Sequence, residues 1–220
     1  MTRWFQWPVH AVAYLLSIAA FFYLIGFSMN RYAFNTVDSG LQLPATEALV
    51  WDVFLLALFA LPHSLLVRFQ ARHWRWRKTL YLLATTGSLF VLFLKWEPVP
   101  NLVWSFPAAW WLDAIGWLGW AAALYSAAIC DHAHTFGWTS QPAAFQAPGL
   151  YRWIRHPQML GVTLGLWGTR DMSQGHLLLA AGLTAYAWIG VYFEERGLKR
   201  QLGPEYLAWR RRTGLLWPRR

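Results

Sequence analysis

Apolar residues in this chain fall in long unbroken blocks rather than in alternating or amphipathic patterns, and the block lengths dictate the architecture. A bilayer core is crossed by roughly 20 apolar residues of helix, and only helices or closed barrels satisfy their own backbone hydrogen bonds there. Four blocks reach that length: Val9–Phe27, Glu47–Val67, Thr79–Trp96 and Trp110–Cys130. A fifth, Met159–Phe193, is too long for one span and is broken by RDMSQG at Arg170–Gly175, which predicts a helix, a turn and a returning helix. The pattern predicts an all-α integral membrane protein: four transmembrane helices plus a C-terminal transmembrane helix-turn-helix hairpin, forming a single polytopic domain over residues 1–220.

The apolar core of the first block exceeds the roughly 7–15 residues of a secretion signal, and no small-residue cleavage site follows, so it reads as a retained span. Composition agrees, with 57% of residues hydrophobic and only 13% charged. Tryptophans near the block ends suit interfacial aromatic belts and need no ligand to explain them. Cys130 is the only cysteine and forms no intramolecular disulfide.

The basic residues supply an orientation. Arg68, Arg72, Arg75, Arg77 and Lys78 follow the second block, and Arg196, Lys199, Arg200, Arg210, Arg211, Arg212, Arg219 and Arg220 lie in the tail. By the positive-inside rule both regions are cytoplasmic. Both termini are then cytoplasmic, the loops Asn30–Thr46 and Glu97–Ala109 face out, and Asp131–Pro157 faces in. Anionic lipid headgroups account for the net charge of +9 without nucleic acid as a partner.

Polar groups converge on the inner face. Asp52 and Asp113 lie toward outer ends, where headgroups or water can solvate them. His63, in LPHSLL, sits near the inner end of the second block and reads either as a helix-packing hydrogen bonder or as a catalytic group. CDHAHTFGW closes the fourth block with His132 and His134; metal ligation, ordinary loop polarity and a substrate role all remain open for them. The stretch YRWIRHPQMLG then sets Tyr151, Arg152, Arg155, His156 and Pro157 at the start of a helix. Proline suits a first helical turn, while free N–H groups and arginine forks suit an anionic ligand. Across the expected hairpin, Glu194 and Glu195 end the apolar part of the returning helix, where their charge opposes the helix dipole and calls for partners. A salt bridge to Arg155 and His156 would suffice; a zwitterionic ligand would fit the same four residues.

GLYRWIRHPQMLG followed by FEERGLKRQLGPEYLAWRRR resembles the C-terminal signature of the isoprenylcysteine carboxyl methyltransferase and phospholipid methyltransferase superfamily, over about the last third of the chain. LPHSLLVR, TLYLLATTGSLFVLFLKWEPVP, DHAHTFG, RHPQMLG and DMSQGHLLLAAGLTAY further resemble its methanethiol S-methyltransferase branch, with departures at Asp131, His134 and Thr135. The resemblance implies an S-adenosyl-L-methionine-dependent enzyme of the bacterial inner membrane that methylates a small thiol, giving dimethyl sulfide from methanethiol. It implies a cofactor and catalytic region over 131–212, with Tyr151, Arg155, His156, Pro157, Gly161, Glu194 and Glu195 lining or shaping the cofactor site and no metal. His132 first and His63 second are the candidate bases for the thiol proton. The competing expectations are a prenylcysteine or other lipophilic acceptor, an NADPH-dependent membrane reductase, and a non-enzymatic membrane protein.

Overall fold

The computed structural model describes residues 3–68, 76–129 and 147–219, with side chains described for 7–67, 76–129 and 147–219. Its helices are α1 (Arg3–Ser28), α2 (Ala45–Arg68), α3 (Arg77–Lys95), α4 (Trp110–Ala128), α5 (Pro157–Trp167) and α6 (Gln174–Arg212). Two short strands, β1 (Leu102–Ser105) and β2 (Asp171–Ser173), and a 3-10 turn at Gly149–Arg152 complete the described elements. The protein is thus nearly all-α, and α1, α2, α3 and α6 are long and apolar enough to cross a membrane, making it a multi-pass membrane protein. The expected span at Trp110–Cys130 is α4, which matches α3 in length at 19 residues. Its tryptophans and Asp113 dilute its apolarity, and it is not among those four helices.

The chain forms two compact units. In the first, Met1–Ser105 with Asp171–Gly182, polar rungs fix the helix directions. His10 Nδ1 meets Thr79 Oγ1 at 2.9 Å and Ser17 Oγ meets Thr86 Oγ1 at 2.7 Å, so α1 and α3 run parallel. In contrast, Trp51 Nε1 donates to the Lys95 carbonyl at 2.8 Å while His63 lies against Tyr81 and Thr85, so α2 runs antiparallel to α3. Up-down-up is the alternation that successive membrane crossings require.

The connections gather at one end of this unit. Asn30 Nδ2 donates to Asp38 Oδ2 at 2.6 Å, and Ser173 Oγ donates to Asp38 Oδ1. Antiparallel to β1, β2 sets Leu102 opposite Ser173 and Ser105 opposite Asp171. The break expected as a turn therefore contains a strand that pairs with the connection following α3. Asp52, expected to reach headgroups or water, is instead fully buried, and its Oδ1 accepts the Glu97 N–H at 3.0 Å. It holds the chain where that chain leaves α3.

The second unit comprises Phe106–Arg170 and Leu183–Arg220. Here α4 and α5 meet backbone to backbone. A Cβ on Gly119 would fall 2.5 Å from the Gly165 nitrogen, and one on Gly161 would fall 2.6 Å from the Ala123 nitrogen. Small residues allow such approach, and in lipid this close packing is a main source of helix association. The hairpin forms as expected: Trp167 Nε1 donates to Thr184 Oγ1 at 2.9 Å and Trp188 Nε1 to Thr163 Oγ1 at 3.3 Å. Its first arm, α5, has only 11 residues, about 16 Å of helix. Asp113, also expected to be solvated, pairs with Arg170: Nε lies 2.7 Å from Oδ2, and the Arg170 N–H donates to Oδ1 at 2.9 Å.

The long helix α6 is broken once. Gly203 has φ 52° and ψ −126°, a conformation open to glycine, and Pro204 follows as the first residue of a new helical segment.

Candidate functional site

The segment before α5 is held by the chain's end. Ile154 and Gly214 form a parallel bridge in which the Arg155 N–H donates to the Gly214 carbonyl at 2.9 Å and the Gly214 N–H to the Trp153 carbonyl at 3.2 Å. His156 then occupies the N-cap of α5 without a side-chain capping bond, and Pro157 takes the first helical turn. The N–H groups of Gln158 and Met159 accordingly have no partner within the helix. Because the His156 ring caps nothing, it is free to reach α6.

It reaches Glu195. Oε1 of this carboxylate accepts three hydrogen bonds: from Arg155 Nε at 2.9 Å, from His156 Nε2 at 3.1 Å and from the Tyr206 hydroxyl at 2.6 Å. Oε2 lies 3.2 Å from Arg210 Nε, an ion-pair contact that lacks the alignment of a hydrogen bond. Arg155 Nη1 also donates to the Thr213 carbonyl at 2.8 Å. Arg155, His156 and Glu195 are each 7% exposed. A buried charge is tolerated when paired and hydrogen-bonded, and this hub meets both conditions.

Glu194 differs from its neighbour. Its side chain is 53% exposed, and its Oε2 stands 3.8 Å from His156 Nδ1, too far for a hydrogen bond. Adjacent residues on a helix point about 100° apart, so one acid enters the hub while the other stays open. Of the two readings the sequence leaves open for these residues, a salt bridge across the hairpin is present at Glu195.

The remaining candidates are placed as follows. Tyr151 supplies its backbone carbonyl to Trp209 Nε1 at 3.2 Å. Pro157 is buried at the start of α5, and Gly161 sits in the α4–α5 contact, where its measurable role is close packing. His63 belongs to the other unit, and both its ring nitrogens meet hydroxyls: Nε2 with Tyr81 at 3.1 Å and Nδ1 with Thr85 at 3.4 Å. His132, with Cys130 and His134, lies outside the described residues. Among the described residues no cluster of histidine, cysteine or acidic side chains could hold a metal ion.

Tyr206, Thr213 and Gly214 are not singled out in the sequence, and Arg210 stands out there only as one of the basic residues of the tail. Their signal was the Gly203–Pro204 pair, which breaks α6 and sends the following helical segment back against residues 151–156.

No family model and no solved structure match the chain. Curated relatives do. A methanethiol S-methyltransferase of Mycobacterium tuberculosis is 36% identical over the whole of this chain and 99% of its own length. Methanethiol S-methyltransferase 2 of Bradyrhizobium diazoefficiens is also 36% identical, over 94% of this chain and 88% of its own. The chain belongs to the methanethiol S-methyltransferase family. A further family relative, from a Pseudomonas strain, is 32% identical over 94% of this chain and 87% of its own length. The similarity with the Mycobacterium family member takes in both units, α1 as well as the Glu195 hub.

Proposed function

We propose that the protein transfers a methyl group from S-adenosylmethionine to a small thiol, converting methanethiol to dimethyl sulfide. The observation that carries this reading is similarity along essentially the full chain to proteins named for that thiol. The groups at the start of α5 suit the donor. An uncapped helix start offers N–H donors and positive potential to its carboxylate, and the exposed Glu194 carboxylate offers acceptors to its ammonium or ribose hydroxyls. Glu195 is already engaged, its Oε1 accepting from Arg155, His156 and Tyr206. We therefore assign Glu194, Tyr151, Pro157 and the α5 N-terminus to the donor, with Arg155 and Glu195 as the frame that holds them.

When bound, the donor supplies a methyl group on a sulfonium centre whose thioether leaves readily. The protein's task is then positioning: holding the two partners in a near-attack arrangement supplies several kcal/mol of the barrier. The acceptor must be ionised, because the thiolate is the nucleophile. In our reading both termini lie in the cytoplasm of a bacterial inner membrane, so the charged donor enters from water while the apolar thiol arrives through lipid.

The test is to incubate purified protein with methyl-labelled S-adenosylmethionine and a panel of thiols, lipids and prenylcysteines. Label is expected in methanethiol. Transfer only to a bulky lipophilic acceptor would overturn the small-thiol assignment, and NADPH binding without affinity for S-adenosylmethionine would overturn methyl transfer altogether.

A further inference from the structure

The geometry points to His156 as the base that takes the thiol proton, with Glu195 as its orienting carboxylate and Tyr206 as the residue that fixes that carboxylate. This inference rests on the thiol methyltransferase reading.

An ionised carboxylate only accepts hydrogen bonds, so the ring nitrogen facing Glu195 must carry hydrogen. That nitrogen is Nε2, at 3.1 Å. In the neutral ring the proton is then on Nε2 and the lone pair on Nδ1. A buried acid oriented by neighbours, a histidine bonded to it through one nitrogen, and the second nitrogen left as acceptor form the arrangement by which histidines serve as general bases. The Glu195 carboxylate is held in place. Arg155 Nε and the hydroxyl of fully buried Tyr206 donate to the same oxygen, so the carboxylate cannot rotate without losing bonds.

Of the two sequence-derived candidates, His132 lies outside the described residues and His63 is placed differently. His63 has hydroxyls at both nitrogens and no carboxylate partner in its hydrogen bonds to Tyr81 and Thr85. The charged and titratable groups around His156 are Glu194 and Glu195 on α6, Tyr206 and Arg210 beyond the kink, and Arg155 on its own segment. The ring nitrogens lie 3.1 Å from Glu195 Oε1 and 3.8 Å from Glu194 Oε2.

The step balances. The thiol S–H bond breaks as Nδ1–H forms; the sulfur pair forms the new S–CH3 bond as the bond from the methyl carbon to the sulfonium sulfur breaks. Two neutral thioethers leave, and the imidazolium releases its proton to water.

The experiment compares two small acceptors of different acidity, methanethiol and 2,2,2-trifluoroethanethiol, in the full-length chain. Each is assayed with labelled S-adenosylmethionine across pH, alongside donor affinity. His156→Gln retains an amide that can donate to Glu195. We expect it to lose about 100-fold in kcat toward methanethiol, the low end of general-base effects, but under 10-fold toward the acidic thiol above its pKa, where the thiolate forms unaided. The acidic limb of the methanethiol profile should disappear. Tyr206→Phe should retain the base but shift that limb and lower kcat with donor affinity unchanged. Equal losses for both thiols, or losses that follow donor affinity alone, overturn the base assignment and leave methyl transfer intact. A wild-type protein inactive toward every thiol overturns both readings.

Discussion

Glu195 and Glu194 are neighbours in sequence with separate roles, and substitution separates them. Glu195→Gln keeps the shape of the side chain but leaves Arg155 buried without its counter-charge. Breaking a buried pair from one side costs about 3–5 kcal/mol, so this variant should unfold at markedly lower denaturant or temperature. Glu194→Gln changes an exposed acid and should shift stability by no more than about 0.5 kcal/mol. Its expected effect is weaker binding of the methyl donor, read by calorimetry or equilibrium dialysis. Unchanged affinity would remove Glu194 from the donor site. From sequence, the hairpin brings Arg155 and His156 near both acids, but which acid turns inward depends on the rotation of α6 about its axis. That rotation is set by packing, not by the local pattern. His63 illustrates the same limit: its partners, Tyr81 and Thr85, are 18 and 22 residues away and announce themselves only when α2 lies against α3.

At the level of elements, α1 to α4 were legible because each is a run of mainly apolar residues of about the right length. The strands were not, since β1 and β2 have four and three residues and exist only by pairing with each other. Two junctions carry most of the consequence for the site. Where α4 meets α5, Gly161→Leu would drive a side chain into the backbone at Ala123 and Gly119. Overpacking costs typically 1–3 kcal/mol, about the scale expected as lower thermal stability in detergent. At the kink in α6, Gly203→Ala would place a Cβ in a backbone conformation costing about 1–3 kcal/mol. The distinguishing expectation is functional: Tyr206, Arg210 and Thr213 all follow the kink and all touch the hub. Donor binding should therefore fall more than helix content measured by circular dichroism; retained affinity would show that the hub tolerates a different exit angle.

For the whole molecule, α1 and the Glu195 hub belong to different units. Deleting α1 removes the partners of two buried threonines, Thr79 and Thr86, and uncovers Phe93. The expected outcome is a less stable protein whose affinity for the methyl donor is preserved, checked by thermal unfolding and binding on the same preparation. The first unit is also discontinuous: Met1–Ser105 is completed by Asp171–Gly182, with Phe106–Arg170 between them. Asp38 cannot receive its bond from Ser173, and β1 has no strand to pair with, until those later residues have been synthesised. During translation the first three helices must therefore wait in the bilayer with that end unfinished. A ribosome stalled before Asp171 would carry an inserted chain in which Asp52 Oδ1 already accepts the Glu97 N–H while Asp38 still lacks Ser173, an order of assembly set by the position of one short strand.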